Sequence, residues 1–215
     1  TARCEELFDY MDELGVQRNV YTYSSLQNVH ARSGTTDAPQ KAQAVLDQML
    51  DLCQQGDVFA KPNRGNYNAI LNALARTCCR SSAEKAYALL QQMEQPVSEG
   101  GFDVDPDRTS YALTILTCAR CPDPVHAALM AEQSLERMEA RARQEAERRE
   151  EVSSAAPPLV TLDLECFNLV LTAISRCRQR DAVERATRIV QRMEKCVSAG
   201  GHEEIRPNLR TWSGL

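Results

Sequence analysis

Apolar residues recur at helical spacing in four similar phrases along the chain. In NYNAILNALAR, residues 66–76, the side chains of Ile70, Leu71 and Leu74 fall on one side of a helix. Each phrase has an aromatic at its second place and ends on arginine. The other three are TYSSLQNVHAR at 22–32, SYALTILTCAR at 110–120 and CFNLVLTAISR at 166–176. The pattern predicts the same helix four times, which is typical of a repeat protein.

A second apolar segment follows each phrase after a short polar turn, such as Ser33-Gly34. This segment carries an alanine and, seven residues later, a methionine. Small alanines allow two helices to approach closely, and methionine fills irregular gaps. The pairs are Ala42 with Met49, Ala86 with Met93, Ala131 with Met138, and Ala186 with Met193. The two segments together predict an antiparallel helical hairpin.

These hairpins have to stack, because a single hairpin cannot bury its own apolar face. We predict an all-α fold, a right-handed α-solenoid (superhelix) of antiparallel helix-turn-helix repeats, as a single domain over residues 1–215. The aromatics follow one another at steps of 44, 44, 56 and 45 residues. We expect a fragment of a longer protein, with partial repeats at both ends. The boundaries are 1–19 (partial), 20–63, 64–107, 108–163, 164–208 and 209–215 (partial).

The long third step comes from a charged insertion, EQSLERMEARARQEAERREE at residues 132–151. Pairs such as Glu139 and Arg143, four residues apart, support a long helix. We expect a solvated extension of the preceding helix. The alternative is an arm that binds a protein partner.

Composition narrows the class of protein. Aromatics are only 5% of a chain that is 43% hydrophobic, which favours helices over an all-β sandwich. The net charge of -5 argues against a wholly basic surface, although one basic stripe remains compatible with it. Nine cysteines without a secreted pattern indicate free thiols in a reducing compartment. Without an apolar run of about 18 residues, we expect no membrane partner.

Sequence motifs give no reason to expect catalysis. The CxxC spacing of Cys118 and Cys121 has no second ligand pair, as a zinc site would require. No glycine-rich loop is followed by the Lys-Ser or Lys-Thr of a nucleotide-binding loop. We therefore expect no enzymatic activity, no metal and no cofactor.

Residues in this register resemble the pentatricopeptide repeat family. The resemblance rests on the Thr22-Tyr23 and Asn66-Tyr67-Asn68 openings, the Ser33-Gly34 turn, the Ala-to-Met spacing and the closing Pro-Asn or Pro-Asp. It covers essentially the whole chain, with repeats expanded beyond the family's usual length of about 35 residues. The resemblance implies sequence-selective binding of single-stranded RNA, one base for each repeat.

The resemblance assigns base reading to the residue after each aromatic and to the last residue of the same repeat. Short Asn, Ser and Asp side chains offer donors and acceptors to a Watson–Crick edge. By the family's code, Ser24 with Asn63 indicates adenine, Asn68 with Asp107 indicates uracil, and Asn168 with Asn208 indicates a pyrimidine. Ala112, in the third pair, has no hydrogen-bonding side chain. The alternative role of the closing residues is N-capping. The eight reader residues are Ser24 with Asn63, Asn68 with Asp107, Ala112 with Asp163, and Asn168 with Asn208.

Four arginines lie nine residues after their aromatics. We expect them to line one edge of the stack and bind RNA phosphates; alternatively, each offsets the dipole at a helix C-terminus. They are Arg32, Arg76, Arg120 and Arg176. Two places before each aromatic, the family usually has an aliphatic residue that sandwiches the base. This chain has Tyr21, Gly65, Thr109, Glu165 and Arg210 there.

The resemblance also implies a role in RNA processing, stability or translation. It implies that this role is performed in a mitochondrion or plastid, although no targeting segment is present in this chain. The alternative function is a helical-repeat scaffold for protein–protein interaction, with the charged helix 132–151 as one contact surface. The acidic net charge favours that alternative.

Overall fold

Every regular element that the computed structural model describes is a helix. It describes residues 2–95, 104–152, 158–198 and 203–213. The α-helices are α1 (Ala2–Glu13), α2 (Val20–Arg32), α3 (Ala38–Gln54), α4 (Arg64–Thr77), α5 (Ser82–Glu94), α6 (Arg108–Arg120), α7 (Pro124–Val152), α8 (Leu164–Cys177), α9 (Ala182–Ser198) and α10 (Leu209–Ser213). Short 3-10 helices lie at Val58–Ala60 and Glu203–Ile205. The predicted all-α class is confirmed, whereas the repeat boundaries stay a prediction.

Two compact units make up the chain. The first contains the described residues up to Thr77 and those from Gln92 to Asp105. The second contains Cys78–Gln91 and the described residues from Pro106 onward. Helix α5 contributes to both units, since the division falls between Gln91 and Gln92.

In the first unit, α2 and α3 form a hairpin against which α4 packs. The turn between α2 and α3 passes through Gly34, whose φ of 72° is favourable for glycine. Helix α1 contacts α2, where the Phe8 and Tyr23 rings meet edge to face at 5.7 Å. Buried alanines form the contact between α2 and α4: Ala31, Ala69 and Ala73. The small side chains let α2 and α4, each the first helix of a predicted repeat, lie close together.

In the second unit, α7 packs between α6 and α8, and α9 packs on α8. Helices α6 and α8 also contact each other directly. The core contains Tyr111, Ile115, Leu135, Phe167 and Leu171, each at most 1% exposed. Successive hairpins therefore bury their apolar faces against one another within this unit.

The residues that set the repeat pattern are core residues. Tyr23, Tyr67, Tyr111 and Phe167 are at most 3% exposed. The four alanines of the second segments are at most 4% exposed, and the four methionines at most 2%. Trp212 differs, because it is 56% exposed on the five-residue α10.

The insertion at 132–151 lengthens α7 as predicted, but the expectation of a solvated extension is wrong for one side of it. Glu132 accepts a hydrogen bond from Arg185 Nε at 2.8 Å, and Glu139 accepts one from Arg192 Nη2 at 2.8 Å. Glu145 Oε2 accepts from the backbone N–H groups of Leu159 and Val160 at 2.9 and 3.1 Å. Glu132 and Glu139 are seven residues apart, and so are Arg185 and Arg192. The equal spacing of these two charged pairs was visible in the sequence.

Candidate nucleic-acid interface

Three of the four closing residues of the predicted repeats, Asp107, Asp163 and Asn208, cap the helices that follow them through their side chains. Asp107 Oδ1 accepts from the Ser110 N–H at 2.9 Å, and Asp163 Oδ1 accepts from the Cys166 N–H at 2.8 Å. Asn208 Oδ1 accepts from the Thr211 N–H at 3.2 Å. Before α4, the Asn63 N–H donates to Asn66 Oδ1 at 2.9 Å. The alternative role of these residues, N-capping, is therefore present in the structure.

Asp163 has partners on both carboxylate oxygens. Its Oδ2 accepts from Arg108 Nε at 2.6 Å, in addition to the capping bond on Oδ1. Burial by itself would raise the pKa of this carboxyl, but the Cys166 N–H and the Arg108 guanidinium outweigh it and hold the pKa below its ordinary value. Since Ala112 also lacks a polar side chain, this pair is the least suited of the four to read a base.

Two of the predicted reader pairs are connected through a third side chain. Asn66 joins Asn63 to Ser24, because its Nδ2 donates to Ser24 Oγ at 3.0 Å. Thr211 joins Asn208 to Asn168, because its hydroxyl donates to Asn168 Oδ1 at 2.9 Å. In each pair, the closing residue bonds to the connecting side chain through its backbone N–H, and the first reader bonds to it through its own side chain.

Sequence reasoning missed the connecting residues. Asn66 and Thr211 are both 0% exposed and both stand one place before an aromatic. A polar residue in that place recurs at Thr22 and Ser110. This recurrence was the available signal, but a polar residue near a helix start is also typical of ordinary capping.

The four predicted phosphate-binding arginines are all exposed. Arg32 and Arg76, both in the first unit, make no hydrogen bond or ion pair with another described residue. Arg176 Nη1 donates to the backbone carbonyl of Ala119, close to the end of α6. Arg176 therefore contacts the C-terminal end of α6, while its remaining guanidinium N–H groups keep donor capacity.

The predicted base-sandwich positions differ in what they offer. Tyr21 is 77% exposed, which leaves its ring accessible for stacking on a base. Thr109 and Glu165 are exposed and present no flat ring. A Cβ on Gly65 would lie 3.0 Å from Asn63 Oδ1, so any side chain there would press on a reader. The side chain of Arg210 lies outside the described residues.

All nine cysteines are free, as predicted. Burial raises the pKa of Cys118 to about 12 and also raises the pKa of Cys166. Cys79 is exposed, and its Sγ lies 3.0 Å from the Ser82 hydroxyl, which lowers the pKa of the thiol. Cys79 therefore carries more thiolate at neutral pH than an ordinary cysteine does.

We expect iodoacetamide at neutral pH to alkylate Cys79 before any of the buried cysteines. Cys118 and Cys166 should react only after unfolding, since their thiols are buried and protonated. Mass spectrometry of timed samples gives the order of labelling. A Ser82→Ala substitution should slow the alkylation of Cys79, because the hydroxyl that stabilises the thiolate is gone. An unchanged rate would show that Ser82 does not lower the pKa of Cys79.

The part of the chain that the structure describes forms neither a metal cluster nor a membrane span. No three His, Cys, Asp or Glu side chains within the described ranges are grouped to hold a metal ion. Among the same residues, no helix is both long and apolar enough to cross a bilayer.

Residues 6–77 match the family model of the pentatricopeptide repeat domain. The matched segment contains Ser24, Asn63 and Asn68, together with Arg32 and Arg76. No curated protein matches the chain. Pentatricopeptide repeats are helical repeats generally associated with RNA binding.

Proposed function

We propose that this chain, whose residues 6–77 match the family model of the pentatricopeptide repeat domain, binds single-stranded RNA with sequence selectivity. One observation carries the proposal: Asn63 and Ser24, assigned to one base by the family resemblance, lie on either side of Asn66 and are both hydrogen-bonded to it. The backbone of Asn63 and the hydroxyl of Ser24 thus contact the same side chain, which supports the proposal that the two residues read one base.

In the proposed complex, affinity and selectivity come from different groups. Exposed arginines, Arg32 and Arg76 in the first unit and Arg120 in the second, neutralise backbone phosphates. The Tyr21 ring stacks on a base, which contributes affinity with little sequence preference. The reader pairs then select among bases through hydrogen bonds. The proposed task is RNA processing, stabilisation or translation in a mitochondrion or plastid.

Asp107, which the family resemblance assigns as a base reader, offers a test that separates base reading from capping. Asparagine and aspartate are equally good N-caps, so Asp107→Asn should leave the unfolding temperature unchanged. The base preference of the Asp107→Asn variant should broaden from uracil to both pyrimidines, because the carboxylate acceptor becomes an amide. Selection from a random single-stranded RNA pool, followed by sequencing, measures the preference.

The control for this test is Asp107→Ala, which removes both roles. It should lower the free energy of unfolding by about 1 kcal/mol through loss of the cap and should also abolish selectivity at that base. If Asp107→Asn and the unchanged chain enrich the same bases, Asp107 is a cap alone and the assignment of this reader fails.

A protein-interaction scaffold is the second candidate function. The observation in its favour is a run of exposed polar and charged side chains towards the C-terminal end of α7: Arg143, Gln144, Glu147 and Arg148. A partner with complementary charge could bind this surface. Such binding would not require RNA, so the two functions are separable by experiment.

A further inference from the structure

A buried chain of hydrogen bonds connects α2, α3 and α4 beside Ser24. Asn66 Nδ2 donates to Ser24 Oγ at 3.0 Å and to Gln27 Oε1 at 2.9 Å, and Gln27 Nε2 donates to the Ala42 carbonyl at 2.9 Å. Asn66 and Gln27 are both 0% exposed. Since Asn66 Oδ1 accepts from the Asn63 N–H, both ends of this amide have partners and its orientation is fixed.

This arrangement limits what Ser24 can offer to a ligand. Its only hydroxyl proton is donated to the Val20 carbonyl at 2.6 Å, while the oxygen accepts from Asn66. The group that remains is one lone pair, which is a hydrogen-bond acceptor. An acceptor suits a base edge that carries an exocyclic amino group, such as that of adenine.

The second unit repeats the arrangement with different residues. The Thr211 hydroxyl accepts from the Asn208 N–H at 3.1 Å. Its single proton has two acceptors within reach, Asn168 Oδ1 at 2.9 Å and Asn208 Oδ1 at 3.3 Å, and the shorter contact is the one to Asn168. The amide oxygen of Asn168 is therefore turned inward. Its Nδ2 group makes no hydrogen bond with another described residue, so the 6% of this side chain that is exposed has a donor to offer a ligand. A donor suits the carbonyl or ring nitrogen of a pyrimidine.

The remaining pair in the second unit shows what happens without a polar reader. Ala112 has no hydrogen-bonding side chain, and the residue corresponding to Asn66 and Thr211 is the buried Cys166. A polar connecting residue thus occurs where a polar reader needs one. Capping alone does not explain this, since the helix that begins after Asp163 is capped without it.

We propose that Asn66 and Thr211 are positioning residues that link the two readers of one base and set the atom that the first reader presents. Asn66 makes Ser24 an acceptor, and Thr211 makes Asn168 a donor. The inference rests on the proposed RNA-binding function and adds a third specificity-determining position to each of these repeats.

Thr211→Val tests the proposal, because it removes the hydroxyl and keeps the side-chain shape. The whole chain is used to select from a random 12-nucleotide single-stranded RNA pool, and the bound fraction is sequenced. We expect base selectivity at the nucleotide of Asn168 to fall about fivefold, as for the loss of one net hydrogen bond. Thr211→Ser, which retains the hydroxyl, should keep the selectivity. Asn66→Leu should act in the same way at the nucleotide of Ser24.

Thr22→Val is the matched control. Thr22 forms the same capping box with Asn19, at 2.9 Å from the Asn19 N–H, but its hydroxyl is bonded to Asn19 alone and to no reader. The Thr22→Val variant should lose the same capping energy as Thr211→Val and leave every base preference unchanged. If Thr22→Val and Thr211→Val alter the enriched sequences equally, or neither alters them, the positioning role is overturned.

The outcomes also separate this inference from the function on which it rests. Salt-sensitive binding of the pool without enrichment of any sequence would overturn the positioning role and leave RNA binding in place. No binding of the pool by the unaltered chain would overturn the proposed function itself, and this inference with it.

Discussion

Replacing Phe167 by alanine is expected to lower the free energy of unfolding by about 3–5 kcal/mol, the usual cost of a cavity left by a buried aromatic. Phe167 is 0% exposed in the core of the second unit. The space left by its ring cannot be filled by solvent-facing side chains, because Leu135 and Leu171 are themselves fully buried. Urea unfolding followed by circular dichroism at 222 nm measures the loss.

The matched control is Val183→Ala on α9, where the side chain is 71% exposed. A substitution of this kind should change stability by no more than about 0.5 kcal/mol. A loss below about 1 kcal/mol for Phe167→Ala would mean that the repeated aromatics do not hold the hairpins together, and the stacked-hairpin account would fail for this unit.

The second large effect is expected on RNA affinity. A variant with both Arg32→Gln and Arg76→Gln should show a shallower dependence of binding on salt. The log–log slope should change by roughly 0.7 for each phosphate of a single strand that is no longer neutralised, or about 1.4 in total. Both arginines are exposed and make no ion pair with a described residue, so the substitutions leave no buried charge without a partner. Fluorescence anisotropy with a labelled single-stranded RNA gives the slope.

Arg3→Gln with Lys41→Gln is the control, since it changes the net charge by the same amount within the same unit. Arg3 is exposed on α1, and Lys41 is paired with Asp37 at 2.9 Å on the surface of α3. This variant should keep the original slope. Equal slopes for the two variants would show that affinity follows net charge alone and that Arg32 and Arg76 have no special position.

Much of the fold was predictable because it depends on periodic apolar residues. The steps between Tyr23, Tyr67 and Tyr111 predicted helices that the structure confirms, and the aromatics, alanines and methionines of the pattern are buried. Trp212 keeps the pattern but is exposed. A periodic pattern reports which face of a helix is apolar; whether a neighbouring helix covers that face is a property of tertiary packing.

The candidate site was less predictable, since each polar residue had two plausible partners. Asp163 fits both a base edge and a helix N-terminus, and only the structure shows the cap and the Arg108 contact. Asn66 and Thr211 looked like ordinary capping residues, although each also bonds to a reader of the preceding repeat. Sequence separations of 42 and 43 residues lie beyond any local rule for hydrogen bonding.

The most direct test of RNA binding is retention of a random single-stranded RNA pool by this chain on a filter, at about 50 and about 200 mM salt. With three or four phosphate contacts, the slope of roughly -0.7 for each contact predicts affinity about twenty- to fiftyfold lower at the higher salt. Retention at low salt that falls in this way is the result we predict. Absence of salt-sensitive retention would contradict RNA binding and favour the protein-interaction scaffold.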